Sequence, residues 1–291
     1  MQYKSIYTSG ITGFIGTNFL PTLLDSYDQV INFTRRDTIE VFTKDSHAEQ
    51  QISQDFLNQN PSNEFFNLAT LHIPNPSSIS GMQDLIEANI FFPIRILENL
   101  QKFENLKIIN ALSYTQLLDL PNQNIYSLTK EIFKKFASIC VPTNIINLYL
   151  FDTFGTGDTR NKVIDIFIKN ILSGTPITIP SNEVNINLSH SSAVSYSLLK
   201  AISLEPGDFC IKSPNTISLE NLACLIMDIT DRKVEIVKGN PSVDPLQLIQ
   251  LFPKNIYETS TESNFKKQLE SRVQEIIQND PQTLMQNSLE H

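Results

Sequence analysis

A tyrosine and a lysine four residues apart, Tyr126 and Lys130, are the residues of this sequence best suited to proton transfer. Side chains at positions i and i+4 share one face of a helix, so the Lys130 ammonium would lie close to the Tyr126 phenol. A nearby cation stabilises the phenolate and lowers the phenol pKa from about 10, which makes the group usable as an acid or base near neutrality. The pair alone is a weak signal, because this spacing arises by chance in many helices.

A serine at the end of a short apolar run strengthens this interpretation. Ser113 follows residues 106–111, which are predicted to form a strand, and a loop separates it from Tyr126. Parallel sheets build their sites at the carboxyl ends of their strands. A hydroxyl group there can donate a hydrogen bond to a substrate carbonyl oxygen. Ser113, Tyr126 and Lys130 are therefore the candidate catalytic residues, and Thr115 is a second hydroxyl close by.

The strongest single pattern is the glycine-containing run at residues 9–16, which reads SGITGFIG. It follows a predicted strand and opens a predicted helix, the context of a dinucleotide-binding loop. Gly10 permits a sharp turn, Gly13 lets the backbone approach a pyrophosphate, and Gly16 lets the helix pack close to the strand. N–H groups at the helix N-terminus would hold the pyrophosphate. The predicted cofactor-binding residues of this loop are Gly10, Thr12, Gly13, Phe14, Ile15 and Gly16.

The end of the next predicted strand, residues 29–34, indicates which dinucleotide is preferred. Thr34 is followed by Arg35 and Arg36. An acidic residue there would accept a hydrogen bond from the ribose 2′-hydroxyl of NAD, whereas an arginine pairs with the 2′-phosphate of NADP. The basic strand end favours NADP(H). Asp37 keeps NAD(H) open as an alternative.

The elements that must position these residues alternate between short apolar runs and segments of helical period, which is typical of a parallel sheet covered by helices. The predicted strands are 3–8, 29–34, 65–69, 106–111 and 144–150, and the predicted helices are 17–26, a segment around 47–58, 84–101 and 125–140. After about residue 151 the alternation becomes irregular, with turns marked by Pro and Gly.

These patterns predict the α/β fold class: a Rossmann doubly wound parallel sheet with a smaller C-terminal substrate-binding lobe. The Rossmann domain is expected over residues 1–151, with a return of the chain to it near 186–203. The substrate-binding lobe is expected over 152–185 and 204–288, and residues 289–291 resemble the remnant of an expression tag.

Composition excludes several classes of function. The chain has 291 residues and a formal net charge of −9, without a run of Lys or Arg, so a nucleic acid or an anionic membrane is a poor candidate partner. The three cysteines are far apart and have no His companions, so neither a disulfide framework nor a metal site is expected. Neither a signal peptide nor a membrane-spanning run is recognised, and we expect a cytoplasmic protein.

The order of these motifs resembles the short-chain dehydrogenase/reductase superfamily, in particular its extended branch of NAD-dependent epimerases and dehydratases. Asn67-Leu68-Ala69 resembles the strand-four signature, residues 88–90 the active-site helix, 150–158 the turn after the sixth strand, and 217–223 a late segment of the branch. The likeness covers nearly the whole chain. Residues 87–93 and 152–162 are most similar to the CDP-abequose synthase group, which are 4-keto-sugar reductases of surface-polysaccharide pathways.

The resemblance implies roles residue by residue. Tyr126 would be the acid/base, Lys130 would lower its pKa and hold the nicotinamide ribose, and Ser113 would polarise the carbonyl. Asn89 would support a proton relay. Leu68 and Ala69 join the cofactor-binding residues.

The sequence also departs from the family pattern. Around residues 185–193 the family has an Arg for the substrate phosphate, but this chain has Asn185 and a serine pair there. Substrate phosphate would then contact Arg160 or Lys162.

The resemblance implies an NADP-dependent reductase of a keto group on a CDP- or dTDP-linked deoxysugar. A nucleotide-sugar 4-epimerase with bound NAD is the first alternative, and a non-catalytic dinucleotide-binding sensor is the second. In relatives, the helices equivalent to 84–101 and 125–140 form a four-helix dimer interface, so a homodimer is expected. Burial of both faces within one subunit is the alternative.

Overall fold

The helices and strands of the computed structural model are described for residues 3–118, 124–140, 144–258 and 264–279. Its strands are β1 (Ser5–Ser9), β2 (Gln29–Phe33), β3 (Thr38–Phe42), β4 (His47–Gln51), β5 (Glu64–Asn67), β6 (Lys107–Ser113), β7 (Ile145–Leu150), β8 (Asp152–Phe154), β9 (Ile177–Ile179), β10 (Asn185–Ile186), β11 (Leu188–His190), β12 (Gly207–Ile211), β13 (Ile217–Ser218), β14 (Ile236–Lys238) and β15 (Lys254–Asn255). Its helices are α1 (Phe14–Leu24), α2 (Gln54–Gln59), α3 (Ile79–Ile86), α4 (Phe92–Leu100), α5 (Ile125–Cys140), α6 (Val163–Ser173), α7 (Ser191–Ala201), α8 (Leu219–Thr230) and α9 (Phe265–Gln278).

One large sheet organises the chain, and it confirms the predicted α/β Rossmann fold. Within the described residues its strand order is β15-β12-β7-β6-β5-β1-β2-β3-β4. Neighbours from β15 to β2 pair in parallel, and β3 and β4 extend one edge as an antiparallel hairpin. The order reverses at β1, which lies between β5 and β2. Ligands of open α/β sheets bind at such a switch point, so the carboxyl end of β1 is where a site is expected.

Alternating side chains of the central strands enter two hydrophobic cores, one on each face of the sheet. Ile6 and Phe66 pack on the face covered by α1 and α7. Tyr7 and Phe65, one position away, pack on the face covered by α4 and α5. A strand buried on both faces is apolar along its whole length, which explains the unbroken apolar runs of the sequence.

A row of polar side chains crosses five neighbouring strands within this apolar sheet. Each of its hydrogen bonds joins two residues that are paired in register. The bonds are Ser9 Oγ to Asn67 Oδ1 (2.8 Å), Asn67 Nδ2 to Asn110 Oδ1 (3.0 Å), Asn110 Nδ2 to Asn147 Oδ1 (3.3 Å) and Asn147 Nδ2 to Asp208 Oδ1 (2.9 Å). Every amide in the row points in the same direction, and Lys134 Nζ donates to the terminal carboxylate at 2.6 Å.

The helix predicted around residues 47–58 is wrong in its first half. His47–Gln51 is an edge strand that pairs with β3, and its side chains are all exposed. A polar edge strand has no apolar alternation, so its sequence does not distinguish it from a surface helix. The second half is helix α2, which begins at Gln54 and is capped by Ser53, whose hydroxyl accepts from Phe56 N at 3.1 Å.

The helix predicted over 84–101 is longer and is interrupted. It begins as α3, passes through a π-helical turn at Glu87–Phe91, and continues as α4. The wider turn shifts the helix face by one residue.

The smaller lobe has a core of its own, formed by side chains of β9 and of α6, α8 and α9. The chain returns to the Rossmann part through α7, where Ser191 Oγ donates to Asn18 Oδ1 at 2.8 Å. Strand β11 pairs with β8, so this return adds a helix and no strand to the large sheet. The segment 204–288, assigned above to the smaller lobe, contributes β12 and β15 to the large sheet. Residues 289–291 lie outside the described residues, and none of the described helices is long and apolar enough to cross a membrane.

Candidate active site

The glycine loop joins β1 to α1. At two of its positions there is no room for a side chain. Gly10 has φ +75°, and a Cβ placed there would lie 2.5 Å from Ala69 N. A Cβ on Gly16 would lie 2.4 Å from the Gly10 carbonyl oxygen. Gly13 precedes the first residue of α1, and the nearest atom to a Cβ there would be 3.3 Å away. The loop therefore presents bare backbone at a helix N-terminus, which fits a pyrophosphate.

Two adjoining cavities, of about 560 and 440 Å³, share this loop. Their lining includes every residue predicted to bind the cofactor. The larger is lined by Gly10, Gly13, Phe14, Ile15, Gly16, Leu68, Tyr126 and Lys130, and the smaller by Gly10, Thr12, Gly13, Thr34, Arg35, Arg36 and Ala69. We refer to them as the catalytic cavity and the adenosine cavity. Together they form a cleft that runs past the glycine loop, as a bound dinucleotide requires, although the binding roles themselves stay a prediction.

Ser113, Tyr126 and Lys130 all line the catalytic cavity. Tyr126 is the second residue of α5, and its phenol interacts with the hydroxyls of Ser113 and Thr70. Burial raises the Tyr126 pKa, and the two hydroxyls and the Arg160 charge only partly oppose this. The phenol is therefore protonated at neutral pH, which is the state required of a proton donor.

Lys130 is the most deeply buried of the three. Its side chain is 3% exposed, and Nζ donates to the Ala111 carbonyl oxygen at 3.0 Å. Burial lowers the Lys130 pKa to about 7. A bound group that accepts from this ammonium would stabilise its charge and raise the pKa again.

The buried lysine predicts a particular pH dependence of stability. Because the Lys130 pKa falls from 10.5 in the unfolded chain to about 7 in the folded protein, only the unfolded chain holds this proton between those values. Stability therefore rises with pH across this range: the cost of burying Lys130 is greatest below pH 7 and disappears as pH rises towards 10.5. We expect Lys130→Met to raise the melting temperature most at pH 6 and least at pH 9, measured by thermal unfolding without cofactor. A constant difference across this range would contradict the lowered pKa.

A chain of hydroxyl groups holds Ser113 in place. Ser113 Oγ lies 2.8 Å from Thr115 Oγ1, which accepts from Ser127 Oγ at 2.8 Å. Ser113 also caps the short 3₁₀ turn Tyr114–Leu117: its Oγ accepts from Thr115 N at 3.3 Å, and its N–H donates to Gln116 Oε1 at 3.1 Å. Thr115, predicted as a substrate residue, lines the cavity and also supports Ser113.

Asn89 lies in the π-helical turn, and its side chain is directed to the loop after β5. Asn89 Oδ1 accepts from Leu71 N at 2.8 Å, and Nδ2 donates to the Leu71 carbonyl oxygen at 3.0 Å and to Thr129 Oγ1 at 3.1 Å. Thr70 Oγ1 donates to Asn89 Oδ1 at 3.3 Å and also interacts with the Tyr126 phenol. Asn89 thus reaches the phenol through Thr70. A relay through Asn89 stays a prediction.

The two predicted phosphate partners differ in their availability. Arg160 forms a bidentate ion pair with Asp158, with Nε and Nη2 each 2.7 Å from a carboxylate oxygen, and its guanidinium lies 4.2 Å from the Phe14 ring centroid. Asp158 is buried, so Arg160 is largely committed to it. The Lys162 ammonium has no hydrogen bond or ion pair to any residue that the structure describes, and it faces the catalytic cavity. Lys162 is therefore the more available cation.

Two further residues of the cavity carry no sequence signal of their own. His72 packs edge-on against Tyr126 with ring centroids 4.7 Å apart, and burial, with the Lys162 and Arg160 charges, lowers its pKa to about 4. Asp152 follows β7 and interacts with the Tyr114 phenol, and burial raises the pKa of its carboxyl group. An isolated histidine after the fourth strand has no pattern that marks it, and Asp152 is recognisable only as part of a family motif.

Comparisons with known proteins indicate the family of this chain. A profile of the NAD dependent epimerase/dehydratase family matches residues 6–186. The chain is 24% identical over 269 residues to a CDP-abequose synthase of Yersinia pseudotuberculosis, covering 87% of this chain and 94% of that protein.

Solved structures of epimerases share the fold. UDP-glucose 4-epimerase of Thermotoga maritima, solved with UDP-glucose, superposes with a TM-score of 0.71 at 16% identity, covering 94% of this chain and 99% of that one. UDP-glucuronic acid 4-epimerase of Bacillus cereus, solved with NAD, gives 0.71 at 15% identity, with coverage of 94% and 99%. The profile match spans more than half of the chain and includes the glycine loop, Ser113, Tyr126 and Lys130. The protein is a member of the NAD-dependent epimerase/dehydratase family.

Proposed function

We propose that the protein is an NADP-dependent reductase of a keto group on a nucleotide-linked deoxysugar, such as a CDP- or dTDP-4-keto sugar. The observation that carries the proposal is one cavity that holds a protonated tyrosine, a strand-end serine and a dinucleotide loop. The similarity to a CDP-abequose synthase supports a nucleotide sugar, and Arg35 and Arg36 support NADPH. A role in surface-polysaccharide synthesis would follow from such a product.

In this mechanism the cofactor supplies a hydride to the carbonyl carbon when bound. Ser113 donates a hydrogen bond to the carbonyl oxygen and orients it towards the phenol. Tyr126 transfers its proton to that oxygen as negative charge develops, so that the carbonyl becomes an alcohol. Lys130 stabilises the resulting phenolate, and the hydroxyls of Thr70 and Ser113 solvate it. The buried setting strengthens each of these interactions because little water competes for them.

A 4-epimerase with bound NAD is the second candidate, since the same residues would serve it and two epimerases share the fold. The experiment that separates them incubates the purified protein with a CDP- or dTDP-4-keto-deoxysugar and either NADPH or NADH, and in parallel with a UDP-sugar. Stoichiometric loss of the reduced cofactor's near-ultraviolet absorbance with formation of the alcohol supports the reductase. Interconversion of UDP-sugars without net cofactor consumption supports the epimerase, and no turnover with bound cofactor supports the sensor.

The available cation Lys162 predicts a test of substrate binding. We expect Lys162→Met to raise KM for the nucleotide sugar about ten-fold, because a charge-assisted hydrogen bond to phosphate is lost. kcat should change little, since Lys162 is not among the groups that shift the Tyr126 pKa. Lys169→Met, at an exposed residue further along α6, is the control and should leave KM unchanged. An unchanged KM in Lys162→Met would show that the phosphates bind elsewhere.

We also propose a homodimer through α3, the π-helical turn and α5. These segments expose seven large apolar side chains within the described residues: Ile79, Met82, Ile86, Phe91, Leu128, Phe136 and Ile139. The π-helical turn adds one residue, which keeps Phe91 on the same outer face as Ile86. Helix α4 is mostly buried within the subunit. We therefore expect the interface to use α3 and the π-helical turn, and not the whole predicted helix 84–101.

This surface predicts the effect of one charge. Phe136→Glu should convert a dimer to a monomer, because the new carboxylate would be buried without a partner at the centre of the interface. Light scattering after size exclusion measures the mass. Leu251→Glu, at a residue 81% exposed in the loop before β15, is the control and should remain dimeric. A wild-type protein that is monomeric at micromolar concentration would contradict the proposal.

A further inference from the structure

The β3–β4 hairpin brings an acidic side chain into the adenosine cavity. Glu40 lies on β3 opposite Asn32 of β2 and lines the cavity together with Thr34, Arg35 and Arg36. Its side chain is 14% exposed. A carboxylate beside two arginines is unexpected in a cavity that binds only a 2′-phosphate, because the carboxylate would repel the phosphate.

The position of the Glu40 carboxylate is fixed by its neighbours. Asn32 Nδ2 donates to Glu40 Oε2 at 2.7 Å, and Asn32 Oδ1 in turn accepts from Ile11 N of the glycine loop at 3.2 Å. Glu40 Oε1 lies 3.8 Å from His47 Nε2. A carboxylate has about four acceptor positions, so these contacts leave capacity for a ligand hydroxyl.

The two arginines are held differently. Arg36 forms an ion pair with Glu49 of β4, with Nη2 and Oε1 2.9 Å apart, and Thr38 Oγ1 donates to the same oxygen at 2.7 Å. The Arg35 guanidinium has no hydrogen bond or ion pair within the part of the chain that the structure describes. The cavity thus holds one available cation and one available anion.

We propose that Glu40 is a specificity-determining residue for the cofactor: it accepts a hydrogen bond from the 2′-hydroxyl of NADH, while Arg35 attracts the 2′-phosphate of NADPH. The protein therefore binds both cofactors with comparable affinity. Arg35 occupies the strand end where an acidic residue is usual, and Asp37 is paired with Arg95, its Oδ1 lying 3.6 Å from Arg95 Nε. The antiparallel hairpin supplies a carboxylate to the cavity from the next strand instead. This inference rests on the proposed function for NADPH as one cofactor, and it adds NADH as a second cofactor.

Binding measurements on purified, cofactor-free protein test this directly. Isothermal titration with NADH and NADPH would be made on wild type, Glu40→Gln, Arg35→Met and the control Asp45→Asn. Glutamine keeps an oxygen that accepts from Asn32, so the glycine loop retains its support. Asp45 lies at the exposed tip of the same hairpin, so its change removes an equal charge outside the cavity.

We expect Glu40→Gln to weaken NADH binding about ten-fold and to tighten NADPH binding a few-fold. Arg35→Met should weaken NADPH binding alone, and Asp45→Asn should leave the ratio of the two dissociation constants unchanged. Equal changes for both cofactors in Glu40→Gln would show that Glu40 only supports the loop, and would overturn the inference. So would a wild type that binds NADPH more than about 100-fold more tightly than NADH, a difference of about 2.7 kcal/mol.

Different results would contradict the proposed function and the inference about Glu40. A protein that binds both cofactors and responds to Glu40→Gln as expected, yet reduces no keto sugar, would contradict the reductase and leave the inference intact. Binding of neither cofactor to wild type would overturn both.

Discussion

Tyr126→Phe is expected to lower kcat for keto-sugar reduction by about 10³-fold, because the proton donor is lost while the ring keeps its place against His72. The dissociation constant for the cofactor should stay within about three-fold of the wild-type value, since the ring still closes the cavity. Single-turnover kinetics, followed by the absorbance of the reduced cofactor, would measure the chemical step, and isothermal titration would measure the binding.

The control for this variant removes the same hydroxyl at a place that the cavity does not include. Tyr196 of α7 is 49% exposed, and Tyr196→Phe should retain the full rate. A Tyr126→Phe protein with more than about a tenth of the wild-type kcat would mean that another group, for instance water or Ser113, donates the proton.

Gly10→Ala is expected to lower the free energy of unfolding by about 3–5 kcal/mol, which is much of the stability of an ordinary domain. Two effects add. The residue has φ +75°, and the new methyl group would meet the backbone of Ala69 at 2.5 Å, so β1 and the segment after β5 would have to separate. Urea unfolding followed by circular dichroism measures the loss.

A second glycine separates the two effects. Gly174, after α6, has φ +71° but no atom within 4 Å of the position that a methyl group would take. Gly174→Ala should therefore cost only the backbone strain, about 1 kcal/mol. Equal losses in the two variants would mean that the close approach of β1 and the Ala69 segment contributes nothing.

Local patterns were enough to predict the residues that lie on or beside regular elements. Gly10, Gly13 and Gly16 are recognisable because the strand, loop and helix are consecutive in sequence. Tyr126 and Lys130 are recognisable because they share a helix. The predicted parallel sheet follows from apolar runs that are buried on both faces, as the alternate packing of neighbouring residues in β1 demonstrates.

The parts that sequence could not supply depend on tertiary pairing. Glu40 enters the adenosine cavity only because β3 pairs antiparallel with β2. The sequence does not reveal the β3–β4 hairpin, because its second strand, β4, is exposed and has no apolar pattern. Thr70 and His72 lie in an irregular loop whose position depends on Asn89. The commitment of Arg160 to its neighbouring carboxylate likewise follows from a turn conformation that residue types alone do not predict.

The polar row across the sheet has a consequence for how the strands find their places during folding. A slip of two residues keeps every side chain on its original face, so the hydrophobic pattern alone does not penalise it. Such a slip at β6 would remove Asn110 from between Asn67 and Asn147 and leave buried amide groups unpaired, at about 1–3 kcal/mol each. The row therefore favours the native strand register over two-residue slips that apolar burial alone would accept.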